Sequence, residues 1–156
     1  FRDTLWRWIS GILGVICLSL IIILGILLNS WPDCRSCQEG WIGYQCKCYF
    51  VSSDSKTWAE SMDFCAFHNS TLLQMDSSDE LDSFLKLNKK FYWIGVHYSN
   101  EHAAWLWING SAFPQDVFPF LETPNTENCI RYSPSNSVLD YPCSDTNRFI
   151  CKQRFS

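Results

Sequence analysis

The chain has 156 residues, including eight tryptophans and nine cysteines, and its formal net charge at pH 7 is −4. This length allows one domain of ordinary size around a single core. The negative charge and the lack of a basic stripe exclude a typical nucleic-acid-binding protein, and an aromatic content of 16% favours a small, densely packed module.

The N-terminal part of the chain contains an apolar run, residues 9–28, with no charged residue and no proline. At roughly 1.5 Å of rise per residue, a helix of that length measures about 30 Å, the hydrocarbon thickness of a bilayer. A cleaved signal peptide would have a shorter apolar core, and no small-residue cleavage site follows Leu28. A buried helix of a soluble protein is disfavoured by the same length. The run therefore predicts one transmembrane signal-anchor helix.

The charges that flank this run set its expected orientation. Arg2 and Arg7 precede it, whereas Asp33 and Arg35 follow it, and the excess of positive charge marks the cytoplasmic side. We therefore expect a single-pass type II protein of the plasma membrane. The run has no Lys or Arg to pair with an acidic adaptor helix, so signalling is left to a partner chain. The predicted organisation is a cytoplasmic tail (1–8), the membrane helix (9–28), a short stalk (29–33) and an extracellular domain (34–156).

Eight cysteines follow the apolar run, and the ninth, Cys17, lies inside it as an apolar filler. An even number in an extracellular domain suggests four disulfides, although eight cysteines allow 105 pairings from sequence alone. The first four of the eight could form a zinc site in a cytosolic protein, but a lumenal location favours disulfides. The eight are Cys34, Cys37, Cys46, Cys48, Cys65, Cys129, Cys143 and Cys151.

The local patterns predict helices first and strands later in the domain. A capping box at 57–60 opens a helix with Trp58, Met62 and Cys65 at helical spacing. A second capping box at 77–80 opens a short helix or an irregular loop that extends to Lys90. Strands are predicted around residues 49–51, 71–73, 91–96, 105–107, 130–132, 138–139 and 149–151. This order indicates an α+β fold with antiparallel sheets.

These elements, in this order, resemble a C-type lectin-like domain over about residues 34–153. The motifs that carry the resemblance are Trp93-Ile94-Gly95-Val96, Trp105-x-Trp107-x-Asn109-Gly110-Ser111 and the closing Arg148-Phe149-Ile150-Cys151-Lys152. The resemblance implies two helices packed on antiparallel sheets and stapled by disulfides. The implied pairs are Cys34–Cys46, Cys37–Cys48, Cys65–Cys151 and Cys129–Cys143.

A closer resemblance is to subfamily D of the killer cell lectin-like receptors. It is carried by the region 45–50, Gln-Cys-Lys-Cys-Tyr-Phe, and by the region 147–153. It implies a natural killer cell receptor subunit that pairs with a subfamily C lectin-like chain and recognises a peptide-loaded class Ib MHC molecule. Two departures stand out. Arg35 occupies the place of a cysteine that links the two chains in the family, so a non-covalent dimer is expected, and the stalk is shorter than the family's.

The calcium site of sugar-binding members of this family is altered here. Those members use Glu-Pro-Asn and Trp-Asn-Asp, whereas this chain has Glu122-Thr123-Pro124-Asn125 and Val138-Leu139-Asp140. Calcium requires about six to eight oxygen ligands, and Leu139 supplies none. We therefore expect no metal and no cofactor. A calcium-dependent carbohydrate-binding lectin receptor is the alternative.

The resemblance places the ligand on the exposed loops of the domain. We predict that the MHC face contains Asn88, Thr123, Asn125, Ser135, Asp140 and Arg148, although each could also be an ordinary solvated residue. Arg131 could pair with an acid on a partner or be a surface charge.

Two further predictions concern surface chemistry. Asn69-Ser70-Thr71 and Asn109-Gly110-Ser111 are glycan acceptor sequences in a lumenal protein. The three histidines, His68, His97 and His102, lack metal-type spacing and no serine or cysteine has an activating context. The sequence therefore predicts that the protein is not an enzyme.

Overall fold

The structure is a computed structural model that describes residues 1–30, 34–77, 80, 90–133 and 137–155. The chain divides into two units, Phe1–Cys34 and Arg35–Ser156. The first unit consists of helix α1, Arg2–Asn29, which buries none of its residues and is long and apolar enough to cross a membrane. It contains the predicted run 9–28 and extends beyond it at the N-terminal end.

Within the described residues, the second unit contains one helix and nine strands. Their bounds are α2 Trp58–Phe67, β1 Ile42–Tyr44, β2 Lys47–Val51, β3 Thr71–Leu72, β4 Tyr92–Trp93, β5 Val96–Ser99, β6 Ala104–Trp107, β7 Cys129–Ser133, β8 Ser137–Tyr141 and β9 Arg148–Arg154. The larger sheet has the order β1-β2-β9-β4-β7-β8, with β3 paired to β9 as well, and β5 and β6 form a separate hairpin. Each predicted strand overlaps one of these elements, except that the single strand predicted at 91–96 is divided between β4 and β5.

The sheet is not purely antiparallel. Strand β4 runs parallel to β9, with Trp93 opposite Phe149, and antiparallel to β7, with Trp93 opposite Arg131. The last strand of the chain, β9, also pairs with β2, so that Phe50 lies opposite Cys151. The two ends of the domain are therefore joined at the centre of the sheet.

The predicted capping box at the start of α2 is confirmed. The backbone N–H of Glu60 donates to Thr57 Oγ1 at 3.2 Å, and the backbone N–H of Thr57 donates to Glu60 Oε2 at 2.9 Å. Hydrogen bonding from the backbone and from the side chain of Thr57 lowers the pKa of the Glu60 carboxyl. The helix ends at Phe67, close to the predicted end. Of the short helix or irregular loop predicted after Ser77, only Glu80 and Lys90 lie within the described residues.

Two hydrophobic clusters cover opposite faces of the sheet. One contains Tyr49, Ile94, Trp105 and Ile130, and the other contains Trp93 with the helix-side residues. Trp93 is fully buried and its indole N–H donates to the Lys56 carbonyl at 2.9 Å. These residues therefore form the core.

Disulfides fasten the irregular parts of the domain to this core. Cys65–Cys151 links α2 to β9, Cys37–Cys48 links the N-terminal segment to β2, and Cys129–Cys143 links β7 to the segment after β8. Cys34 and Cys46 are disulfide-bonded as well, and Cys17 in α1 is a free thiol. All eight cysteines of the predicted extracellular part are thus oxidised.

A cluster of charged side chains joins strands β2 and β9 to residues 76 and 80. The Lys152 side chain is 1% exposed and forms ion pairs with Glu80, which is 3% exposed, and with Asp76 at 2.8 Å. Lys47 Nζ lies 2.8 Å from Asp76, and Arg154 also pairs with Asp76. This cluster fixes the chain at residues 76 and 80, directly before the segment that contains Asn88.

The acids in this cluster are held in their charged form. Burial alone would raise the pKa of Asp76, but hydrogen bonds from Lys152 and Lys47 outweigh it and lower that pKa to about 2. The pKa of Glu80 is also lowered, because hydrogen bonds from Lys152 and Tyr49 exceed the opposing effect of burial. Burial and the bond to Glu80 raise the pKa of Tyr49. The tyrosine hydroxyl therefore stays a donor to the carboxylate.

Candidate ligand-binding face

The long connection between β6 and β7 is anchored by aromatic side chains. Phe113 and Phe118 are 4% and 3% exposed, and Phe113 packs on Trp107 with ring centroids 5.0 Å apart. Phe120 contacts Trp105 at 5.4 Å and bridges to Val138. The connection is therefore fixed up to residue 120, and residues 121–123 and 125–127, beyond the anchor, are exposed.

Asp140 ties this exposed segment to β8. Its Oδ2 accepts the backbone N–H of Asn125 at 3.2 Å and the side-chain N–H of Asn128 at 2.7 Å. Asn125 in turn accepts the backbone N–H of Glu127 through Oδ1 at 3.0 Å. The Cys129–Cys143 disulfide brings the two strands together beside these bonds. The segment 125–128 is thus held by hydrogen bonds within the protein.

This arrangement bears on the ability of the loop to hold a metal. A calcium ligand must present free oxygen lone pairs, but Asp140 Oδ2 already accepts two N–H groups. Val138 is fully buried in the core and Leu139 is apolar. Within the described residues, no group of three His, Cys, Asp or Glu side chains could hold an ion. The segment 125–128 is fastened by an amide–carboxylate network instead.

The structure brings together only part of the predicted face. Thr123 and Asn125 lie on the exposed segment, and the Asn125 backbone N–H bonds to Asp140. Arg148 begins β9, and two strands, β4 and β7, separate it from β8. At about 4.8 Å per strand spacing, Arg148 lies roughly 14 Å from that strand across the sheet. Asn88 and Ser135 lie outside the described residues.

Asn128 belongs to this site but was not predicted. Its amide makes the shortest bond to Asp140. The signal was its position directly before Cys129, because the disulfide partner Cys143 follows Asp140 by three residues. A disulfide between those cysteines therefore places Asn128 and Asp140 side by side.

Both predicted glycan acceptors are exposed in turns. Asn69 follows α2 with a φ of 52°, in the left-handed region that Asn tolerates. Asn109 Oδ1 accepts the Ser111 backbone N–H at 2.9 Å and the Ser111 hydroxyl at 2.6 Å. Each side chain is accessible to a modifying enzyme, and glycosylation at both stays a prediction.

Comparison with known proteins agrees with this geometry. The family model described as Lectin C-type domain matches residues 54–153. The chain is 53% identical over 175 aligned residues to the natural killer cells antigen CD94 of Homo sapiens, covering 99% of this chain and 97% of that protein. It is 42% identical over 173 residues to the CD94 of Mus musculus, covering 97% and 96%. The aligned length exceeds the 156 residues of this chain, so these relatives contain residues with no counterpart here.

Solved structures show the same fold. The carbohydrate-recognition domain of the mouse scavenger receptor C-type lectin superposes with a TM-score of 0.67 at 23% identity, covering 78% of this chain and all of that one. The SPL-1–GlcNAc complex superposes with a TM-score of 0.68 at 26% identity, covering 80% and 99%. An N-terminal helix able to span a bilayer, followed by such a domain, fits a type II membrane protein. The chain therefore belongs to the C-type lectin family, among the natural killer cell receptors of the CD94 type.

Proposed function

We propose that this chain is a natural killer cell receptor subunit of the plasma membrane. It pairs with a killer cell lectin-like receptor subfamily C chain, and the pair recognises a peptide-loaded class Ib MHC molecule through the extracellular domain 34–156. The observation that carries the proposal is the similarity to CD94 along nearly the whole chain. The hydrogen-bonded loop around Asp140 supports recognition of a protein, because it keeps the loop ordered without a metal.

A pre-ordered loop is well suited to protein recognition. Interfaces whose loops are already fixed lose little conformational entropy on binding, so more of the contact energy appears as affinity. Thr123 and Asn125 present exposed polar groups on such a loop. The disulfides and the aromatic anchor hold the loop to the sheet, and the domain therefore offers a surface of fixed shape to a protein ligand.

In the proposed pair, the partner chain supplies the connection to a signalling adaptor. Between Trp8 and Asn29, helix α1 has no charged residue, so the membrane segment offers no ion pair to a signalling adaptor. We infer that the subfamily C chain provides that connection. All eight cysteines after the helix are disulfide-bonded, and Arg35 carries no thiol. The pairing is therefore non-covalent.

Co-expression with a subfamily C chain tests the proposal. We expect the two chains to co-precipitate from the cell surface, to separate on non-reducing electrophoresis, and to bind peptide-loaded class Ib MHC tetramers together. Tetramer binding should persist in a calcium chelator. Absence of both pairing and tetramer binding would refute the proposal. Binding abolished by the chelator would instead favour the carbohydrate-binding lectin receptor.

A further inference from the structure

Arg131 is held between two aromatic rings on the sheet face opposite Asp140. Its Cζ lies 4.3 Å from the ring centroid of Phe91 and 3.8 Å from that of Tyr141. The Tyr141 ring reaches Arg131 because the register of β7 and β8 makes the two residues diagonal neighbours across the hairpin. Phe91 directly precedes β4, whose Trp93 lies opposite Arg131. The guanidinium plane is thus clamped from two sides.

The hydrogen-bonding capacity of this guanidinium is mostly unused. Nη1 donates to Asn147 Oδ1 at 3.3 Å, and Nε is buried without an acceptor. Among the residues that the structure describes, Nη2 has no hydrogen-bond acceptor, and it is not one of the buried atoms that lack a partner. In the described part of the chain, no carboxylate lies within ion-pair distance of Arg131. A half-buried cation with one weak bond is unusual, because desolvated charges are normally paired.

We propose that Arg131 is a binding site for a carboxylate, an Asp or Glu side chain on a protein partner. The guanidinium fork matches a carboxylate geometrically, and charge-assisted bonds of this kind are roughly twice as strong as neutral ones. The two rings restrict the rotamers of Arg131 and exclude water from its faces, so the open Nη2 edge is already oriented. Arginine and tyrosine in such desolvated settings are enriched among the residues that dominate protein interfaces.

This site is separate from the loop face. Side chains alternate along a strand, so that Arg131, Leu139 and Tyr141 lie on one face of the β7–β8 hairpin, while Ile130 and Asp140 lie on the other. The inference rests on the proposed function, namely that the domain binds protein partners. The carboxylate can come from the paired lectin-like chain or from the MHC ligand, and the experiment separates the two sources.

The test compares three variants of the full chain, each co-expressed with the subfamily C chain on cells. Arg131→Met keeps the length and apolar contact of the side chain but removes its charge. Arg131→Lys keeps the charge but loses the planar fork. Lys56→Met is the matched control, because it also removes one positive charge from a half-buried side chain that makes no hydrogen bond or ion pair in the described residues. Surface level and non-reducing mobility report folding.

We expect Arg131→Met to weaken either co-precipitation or tetramer binding by at least about 30-fold. Arg131→Lys should fall between Arg131→Met and the wild type, and Lys56→Met should match the wild type. Loss of co-precipitation assigns the carboxylate to the paired chain. Loss of tetramer binding with intact pairing assigns it to the MHC ligand.

Two results would overturn the inference in distinguishable ways. If the wild-type chain pairs or binds tetramer and Arg131→Met equals it within about twofold, this inference fails while the proposed function stands. If the wild-type chain does neither, the proposed function fails and this inference fails with it. If Arg131→Met does not reach the cell surface, Arg131→Lys is the deciding variant. Weakened binding by folded Arg131→Lys would support a carboxylate site, whereas unchanged binding would show that the cation is only structural.

Discussion

The charged cluster behind β9 yields the sharpest stability prediction. Lys152 is almost fully buried and its Nζ bonds the Gln74 carbonyl at 2.8 Å in addition to its two ion pairs. The substitution K152M keeps the length of the side chain and removes the charge. Asp76 would keep Lys47 at 2.8 Å and Arg154. Of its ion pairs in the described residues, Glu80 would keep only the one with Lys47 at 3.7 Å, in addition to the neutral hydrogen bonds from Tyr49 and from the Asp76 backbone N–H, so the unpaired buried charge is that of Glu80.

The expected loss follows from this geometry. Removing one partner of a buried ion pair lowers the free energy of unfolding by roughly 3–5 kcal/mol. The remaining contact of Lys47 with Glu80 places K152M at the lower end, about 3 kcal/mol. For a domain of this size, that loss corresponds to a fall in Tm of about 10 °C. Replacing Glu80 as well, in K152M/E80Q, removes the unpaired charge and should recover about 2 kcal/mol.

The pH dependence of this loss has a definite sign. In the wild type, the pKa values of Asp76 and Glu80 are lowered, so their contribution is complete above pH 5 and is lost as pH falls through about 4 to 2. Without Lys152, burial dominates and raises the pKa of Glu80 above its unfolded value. The charged, unpaired form of Glu80 destabilises the folded variant, and this destabilisation grows as pH rises through the raised pKa. The deficit of K152M should therefore be smaller at pH 5 than at pH 7.

Urea unfolding of the disulfide-intact domain 34–156, followed by tryptophan fluorescence at both pH values, measures these differences. The single variant E80Q completes the double-mutant cycle. A loss below about 1 kcal/mol for K152M would show that the charges are not effectively buried. Equal losses for K152M and K152M/E80Q would contradict the assignment of the unpaired charge to Glu80.

Two further substitutions test the core and the loop. A Cβ at Gly95 would lie 2.5 Å from Ile108 Cδ1 and 3.0 Å from the Leu72 carbonyl oxygen, so G95A should lower the free energy of unfolding by about 1–3 kcal/mol. In urea unfolding, the double variant G95A/I108V should recover part of this loss, and no recovery would refute the steric explanation. D140A removes two hydrogen bonds from the segment 125–128 and should increase the rate of backbone hydrogen exchange in this segment at least about tenfold. A calcium chelator should leave the exchange rate of the wild type unchanged. Exchange unchanged by D140A would contradict the role given to Asp140.

Local signals explain which parts of the fold could be predicted. The capping box at Thr57 and Glu60 involves neighbouring residues, so its two hydrogen bonds follow from the sequence pattern. The prediction of one strand at 91–96 was correct only in part, because Trp93 is fully buried but the run is divided between β4 and the start of β5. The chain order of the strands also matched, and the pair Asn109-Gly110 follows the end of β6 after one residue.

Contacts between distant residues explain most of what was missed. The parallel pairing of β4 with β9 joins segments about 55 residues apart in the sequence, and no local pattern specifies it. The sequence alone suggests that Lys152 is a surface charge near the end of the chain. It is buried instead, and its charge is compensated by ion pairs with Glu80 and Asp76, which are distant in the sequence. Arg131 likewise acquires its two rings only when β4 and β8 flank β7.

The Asp140 network has a consequence for how the loop face responds to its surroundings. A loop held by calcium becomes mobile when the ion leaves, and its binding then depends on free calcium and on the protonation of the ligating carboxylates. Here the bonds to Asp140 come from Asn125 and Asn128, whose amides do not titrate. The order of the segment 125–128 therefore depends on hydrogen bonds to one carboxylate and not on an ion concentration. Loop order and any binding that needs it should accordingly persist across the calcium range outside cells.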